Sequence, residues 1–312
     1  MVPLADVEIG MGTSSWGSGP MWGFGRDYTA KDLQEAFAVA QSNGVLIDTA
    51  EIYGRGQSER FIGQFNTHAT QPVPIATKFF PFPWRWTPQS LMGALRASLA
   101  RLQTARVSLY QIHWPLPPVS ATSWMKAMTQ AAELGLIEYI GVSNYDRDLT
   151  LKAFNTLKRF GVMLAANQVK YNLLDRTIEH NGLLSLCKDL GIRVIAYSPL
   201  EQGLLTGKYS PANVPAGLRG VIHRRKLGAI QPLIETMRQI GKGYAVDGVI
   251  KTPAQVAINW CICQGTLPIP GAKNARQAGQ NLGAVGWRLS QEDVAVLSSV
   301  SREVNINLES ES

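Results

Sequence analysis

Short apolar runs alternate with longer amphipathic stretches almost to the end of the chain. Continuous apolar or β-branched runs occur at VLID (45–48), PIATKFF (74–80), VSLYQIHW (107–114), IEYIGVSN (137–144), LAANQVKYN (164–172), RVIAYSPL (193–200) and TLPIPGA (266–272). An earlier run, EIGMGTSSWG at 8–17, makes eight. Such runs suit parallel strands covered on both faces. Between them the helical period returns. AKDLQEAFAVAQSNG places Leu33, Phe37 and Ala40 on one face and stops at Gly44. Thr87-Pro88 and Thr252-Pro253 each set a capping residue before a proline at the first helical position, and the second of these helices stops at Gly265. SQEDVAVLSSV opens on Ser290 with Asp293 three residues on, and it lies after the last strand.

Unbroken strand–helix repetition predicts an α/β protein. Eight repeats in 312 residues fit a (β/α)8 barrel, expected as a single domain over 1–312. A doubly wound open sheet is the alternative. Against it, no strand leads into a G-x-G-x-x-G turn, and GRGQSER at 54–60 lacks the third glycine.

Composition narrows the function classes. Hydrophobic residues make up 45% and charged residues 17%, with no long apolar run, so no membrane span is expected. MVPLADVEIG has neither the charged nor the apolar region of a secretory signal, which predicts a cytoplasmic protein. Cys187, Cys261 and Cys263 cannot all pair, and they read as thiols in a reducing compartment. His68, His113, His180 and His223 are scattered without metal-ligand spacing, so no metal is expected. The net charge is +7, yet the basic residues are dispersed apart from HRRK at 223–226. No nucleic-acid signature accompanies them, and a basic surface or a polyanionic small molecule explains the charge.

In such a barrel the chemistry gathers at the C-terminal ends of the strands. The titratable residues there are Asp48 and Tyr53 after the second strand, Lys78 in the third and His113 in the fourth. Each has an ordinary structural reading, but four at equivalent positions form a group. A free phenol has a pKa of about 10. A lysine ammonium about 4 Å away, at an effective dielectric near 20, favours phenolate by about 4 kcal/mol. That would bring the phenol toward neutrality before desolvation opposes it. Asp48 is the natural counter-ion for Lys78, and His113 can donate to a carbonyl oxygen. The group reads as a proton donor beside a carbonyl. No nucleophile is paired with a base, so hydrolysis fits poorly.

A carbonyl protonated on oxygen needs a hydride on carbon, hence a nicotinamide cofactor. Ser143, Asn144 and Gln168 can hold a carboxamide, and Tyr197 can stack on the ring. SPLEQGLLTGKY at 198–209 can wrap a pyrophosphate, ending in Lys208. IPGAKNARQAGQN at 269–281 runs into a helix with Lys273 and Arg276 near its start, an anion site that favours NADPH over NADH.

IDTAEIYG, ATK, LYQIHWP, GVSN, NQVKYN, IAYSPLEQGLLTGKY and IPGAKN resemble the signatures of the aldo-keto reductase superfamily, in order and over essentially the whole chain. YSPLEQGLLTGKYSP and IPGAKNARQAGQNLGA look most like its cyanobacterial and chloroplast branch. The resemblance implies a (β/α)8 TIM barrel, here expected with a short N-terminal β-hairpin and an extra C-terminal helix. It implies NADPH-dependent carbonyl reduction by a tetrad falling on Asp48, Tyr53, Lys78 and His113. Cofactor contacts are expected at Gly12, Thr13, Ser14 and Asp48, at Ser143, Asn144 and Gln168, and at Tyr197, Ser198, Pro199 and Leu200. Further contacts are expected at Gln202, Gly203, Leu205 and Lys208, and at Gly271, Lys273, Gln277, Gln280 and Asn281. Gln277 stands where many members of the family carry an arginine. The substrate pocket is expected to be aromatic, drawing on Trp16, Trp22, Tyr53, Phe79, Trp84, His113, Trp114 and Tyr145.

The expected partner is a small-molecule carbonyl substrate, with no nucleic acid or membrane and a monomer or weak homo-oligomer. Three other readings stay open: a pyridoxal reductase, a cofactor-holding regulatory subunit of a membrane protein, and a cofactor-free lyase or isomerase. The Gly- and Pro-rich segment 211–225 is a candidate lid.

Overall fold

The strands of a computed structural model pair in chain order, β1 (Gly10–Gly12), β2 (Leu46–Asp48), β3 (Ile75–Phe79), β4 (Val107–Ile112), β5 (Ile137–Ser143), β6 (Leu164–Lys170), β7 (Arg193–Tyr197) and β8 (Leu267–Pro268), all parallel. A parallel bridge between Gly12 and Gly271 closes the remaining gap, with Gly12 N donating to Pro270 O at 3.1 Å. The fold is a (β/α)8 TIM barrel. The structure describes residues 6–67, 73–215, 220, 224 and 226–310. His68 and His223 therefore lie outside the described residues, as does most of the candidate lid 211–225.

The strand pattern explains the layering. β3 and β4 are buried at every position because the barrel interior takes one set of side chains and the helices cover the other. Leu46, Ala76, Leu109, Ala166, Ile195 and Leu267 pack together inside the barrel. Ile47, Tyr110, Ile112 and Val194 belong to the outer layer. Strand alternation then sends Asp48, Lys78, Gln111 and Gln168, each two residues beyond an interior apolar residue, to the same inner face. The barrel is thus apolar below and polar above. Gly141, opposite Gln111, makes this arrangement possible, since a Cβ there would lie 2.9 Å from Gln111 Cγ.

The expected N-terminal hairpin is absent among the described residues. Val7 instead joins the interior apolar cluster and plugs the lower end of the barrel. Its carbonyl accepts from Arg193 Nη2 at 3.1 Å, and residues 1–5, on which part of a hairpin would fall, lie outside the described residues. The extra C-terminal helix is present as Gln291–Ser310, with Leu297 and Val304 buried. Tyr244 OH donates to Asp293 Oδ2 at 2.5 Å, and Trp260 Nε1 donates to Ser298 Oγ at 3.2 Å, fixing that helix to the barrel. Thr87 and Thr252 cap their helices by accepting from Ser90 N and Gln255 N, both at 3.3 Å. No helix among the described residues is long and apolar enough to cross a membrane.

One turn controls where the site is built. β2 leads into the 3-10 turn Tyr53–Gly56, in which Gly54 has φ +55° and Arg55 has φ +56°. A Cβ on Gly54 would sit 2.9 Å from Trp16 O and 3.1 Å from Gly17 O. Left-handed backbone and close approach to the β1 loop together require glycine here. Gly54→Ala is expected to lower unfolding stability by about 2–4 kcal/mol. Urea titration of both proteins measures it, and a loss below about 0.5 kcal/mol would show that the turn tolerates a side chain.

Candidate active site

Lys78 is fully buried inside the barrel. Its Nζ donates to Asp48 Oδ1 at 2.6 Å and to Thr49 O at 2.7 Å. The other Asp48 oxygen accepts from Gln168 Nε2 at 2.7 Å. Lys78 Nζ also lies over the Tyr53 ring, 5.1 Å from its centre. The His113 ring meets the Tyr53 ring edge-on at 5.8 Å. The structure thus brings Asp48, Tyr53, Lys78 and His113 together at the upper end of the barrel.

Burial sets the protonation of these groups. Desolvation raises the Tyr53 pKa, and Asp48 adds to it; together they outweigh the opposing charge of Lys78. This reverses the direction expected from the Lys78 charge alone, because the phenol loses more hydration than the ammonium restores. For Lys78 itself, burial works against the charge, but Asp48 and Tyr53 more than offset it and the pKa is raised. His113 is pulled down to about 3 by burial and by the Lys78 charge. At neutral pH the site therefore holds a phenol, an ammonium and a neutral imidazole.

Above this group opens a cavity of about 840 Å³. It runs from Tyr53 and His113 across the ends of β5–β8 to the helix Ala275–Leu282. Gly12, Thr13, Ser14, Ser143, Asn144, Tyr197 and Lys208 line it, as do Gly271, Lys273, Gln277, Gln280 and Asn281. Tyr197 OH donates to Asn144 Oδ1 at 3.1 Å, and Asn144 Nδ2 donates to Ser143 Oγ at 3.1 Å and His113 O at 3.0 Å. Gln168 Oε1 has no partner among the described residues. Among the described residues no cluster of His, Cys, Asp or Glu could hold a metal.

The aldo/keto reductase family model matches residues 8–302. The chain belongs to the aldo-keto reductase family. It is 40% identical to a chloroplastic pyridoxal reductase of Arabidopsis thaliana, over 97% of this chain and 85% of the relative. It is 29% identical to an NADH-specific methylglyoxal reductase of Escherichia coli, over 96% of this chain and 98% of that protein. An aldo/keto reductase from Klebsiella pneumoniae, solved with NADP and acetate, superposes with a TM-score of 0.71 at 28% identity, covering 94% of this chain and 91% of that one. The chain is therefore an oxidoreductase with a nicotinamide cofactor and a small-molecule substrate.

Several expected site residues of this aldo-keto reductase lie elsewhere. Phe79 is buried against Trp124, ring centres 4.9 Å apart, because Lys78 faces inward and alternation turns Phe79 outward. Trp16 is fully buried, with Nε1 donating to Ala272 O at 2.9 Å. Tyr145 is core, and its carbonyl accepts from Asn167 Nδ2. Leu205 is buried beneath the loop that follows β7 rather than lining the cavity. Trp84 does not line the cavity either and is 71% exposed. Trp22 and Trp114 do line it.

Tyr28 lines the cavity and was not among the expected pocket residues, whereas Phe80 and Phe82 stand outside the lining. A column of rings leads outward from His113 to Phe80 at 5.7 Å, Phe82 at 4.6 Å and Trp84 at 4.7 Å, the last pair stacked. Arg85 fixes this loop. It donates to Glu51 Oε1 at 2.5 Å, Glu51 Oε2 at 3.1 Å and Phe80 O at 2.9 Å, and stacks 5.2 Å from the Phe79 and Phe82 rings. The aromatic density of FFPFPWRW was the available signal. On the opposite rim Lys273 Nζ donates to Trp22 O at 2.7 Å and lies 4.6 Å from the Tyr28 ring centre. Exposed Arg276 also lines the cavity and has no hydrogen-bond partner among the described residues.

The depressed His113 pKa has a consequence for stability. An unfolded histidine takes a proton near pH 6.5, whereas folded His113 resists until about pH 3. The unfolded chain therefore gains protons first, and stability falls as pH drops through that window. Between pH 7 and 4.5 the wild type is expected to lose about 2.5 kcal/mol more than His113→Phe. Urea unfolding at both pH values checks this, and equal losses would contradict a buried neutral imidazole.

Proposed function

We propose that this chain reduces aldehydes and ketones to alcohols with NADPH, Tyr53 delivering the proton to the carbonyl oxygen. The single observation that carries this reading is Tyr53, set over the buried Lys78 ammonium, 5.1 Å from its ring centre, and lining the cavity beside His113. With its pKa raised, Tyr53 is a protonated donor at neutral pH. When the proton leaves, the Lys78 ammonium stabilises the phenolate, and Asp48 keeps that ammonium in the barrel. Neutral His113 orients the carbonyl by hydrogen bonding. A bound reduced nicotinamide supplies the hydride to the carbonyl carbon.

The lining suits that cofactor. Gln168 Oε1, Asn144 and Ser143 would hold the carboxamide, and the Tyr197 ring would stack on the nicotinamide. Residues 198–203 and Lys208 would take the pyrophosphate. For the 2′-phosphate the geometry favours Arg276, because Lys273 already clasps the Trp22 carbonyl. A neutral ribose in place of that phosphate would leave Arg276 idle, which is the NADH reading that the Escherichia coli relative raises.

The rings that line the cavity beside Tyr53 and His113, those of Trp22, Tyr28 and Trp114, suit planar aldehydes. Pyridoxal is the narrower reading, favoured by the 40% identity to the Arabidopsis thaliana enzyme. NADPH oxidation with benzaldehyde and pyridoxal separates the two, since a pyridoxal reductase would turn over benzaldehyde far more slowly. Activity confined to small, charged carbonyls would sink the aromatic preference.

Tyr53→Phe is expected to lower turnover by about 10²–10⁴-fold while NADPH affinity stays within about twofold. Turnover by the variant at the wild-type rate would remove Tyr53 as donor. NADPH binding without turnover of any aldehyde by the wild type would favour a cofactor-holding subunit instead. Arg276→Ala is expected to weaken NADPH binding by about 10–100-fold and leave NADH binding unchanged. Calorimetric titration with each cofactor measures this, and equal loss for both would place the phosphate elsewhere.

A further inference from the structure

The loop after β7 is built against its own backbone preferences. Ser198 has φ +52°, Glu201 φ +42° and Gln202 φ +53°, three non-glycine residues in the left-handed region within five positions. Each such residue is unfavourable unless its surroundings over-determine it. Ser198, Pro199, Leu200, Gln202 and Gly203 line the cavity, whereas Glu201 does not. Glu201 turns beneath the loop and is only 6% exposed.

There the Glu201 carboxylate meets the end of β6. Lys170 Nζ lies 3.0 Å from Glu201 Oε1 and 3.0 Å from Oε2, and 3.4 Å from Asp175 Oδ2. Asn172 Nδ2 donates to Glu201 Oε2 and to Ser198 O, both at 2.9 Å. Both ends of the strained segment are thus held by two residues of the neighbouring strand end. Lys170 is absent from the cavity lining, and its charge is spent on two carboxylates.

We propose that Lys170, Asn172 and Glu201 form a latch that holds residues 198–203 in their cofactor-ready shape before any cofactor arrives. Glu201 is a positioning residue: it raises affinity for a dinucleotide although it bears the charge that repels phosphate. This rests on the dinucleotide reading above. The rival role for the same residues is electrostatic, with Lys170 attracting a phosphate and Glu201 competing with it. The two roles differ in sign. A latch makes Glu201→Gln bind more weakly, and the rival makes it bind more tightly.

The test measures the dissociation constant for NADPH on the full chain by calorimetry, with urea midpoints as a check on folding. Amide hydrogen exchange across 198–206 is followed in the absence of cofactor. Glu201→Gln and Lys170→Met are each expected to weaken binding about tenfold. The double variant should be no weaker than the weaker single one, because both break one contact. Lys170→Arg, which can keep the ion pair, should stay within about threefold of wild type. Exchange at 198–206 should quicken in Glu201→Gln while the barrel strands stay protected. Unchanged or tighter NADPH binding by Glu201→Gln would overturn the latch. So would unaltered exchange in a folded variant. A wild type that binds neither NADPH nor NADH would overturn the dinucleotide reading and the role in affinity with it. A wild type that binds beside variants that bind equally well overturns the latch alone.

Discussion

The buried ion pair between Lys78 and Asp48, at 2.6 Å, is the contact on which the site depends. Two charges taken out of water cost several kcal/mol each, and attraction offsets this only where the remaining hydrogen-bonding positions are filled. Here they are. Thr49 O accepts from Lys78, Gln168 donates to Asp48, and the ring of Tyr53 lies 5.1 Å from the ammonium. The requirement reaches into the backbone, since β2, β3 and β6 must hold a register that brings three inward side chains to one level. A slip of one residue in β3 would exchange Lys78 with Phe79 and leave Asp48 as an unpaired buried charge.

From that pair, polar contacts extend around the mouth. Gln168 O accepts from Ser143 Oγ at 2.9 Å, Asn144 joins Ser143 to Tyr197, and Thr13 Oγ1 donates to Asp48 O at 2.9 Å. The side chains proposed to contact cofactor are therefore already braced by one another. Such bracing is what a site needs if its donors are not to reorganise during reaction. It also explains why Asn144 accepts a left-handed backbone at φ +60°, since its amide is used on both sides.

Much of this was legible in the chain, and the reason is periodicity. Apolar runs marked all eight strands, Thr-Pro pairs marked helix starts, and the tetrad residues fell at strand ends. What the sequence obscured depends on depth. Phe79 follows Lys78 on a strand, so alternation alone should have turned it outward. Trp16 and Tyr145 sit in loops, where no period says which way a ring points. The direction of the Tyr53 shift turns on how deeply the phenol is buried, and a sequence names desolvation as the opposing effect without giving its size.

The Arg85–Glu51 contact divides the molecule in a way that matters over evolutionary time. Arg85 anchors the loop of rings at its far end, and Phe80 N donates to the same Glu51 oxygen at 2.7 Å at its near end. Residues 81–84 are thus a graft with both roots in one carboxylate. None of the hydrogen bonds around the barrel mouth passes through them. Change in this segment leaves the Lys78–Asp48 pair and the contacts that brace it untouched. Sequence between the two roots can vary without disturbing the buried charges below it.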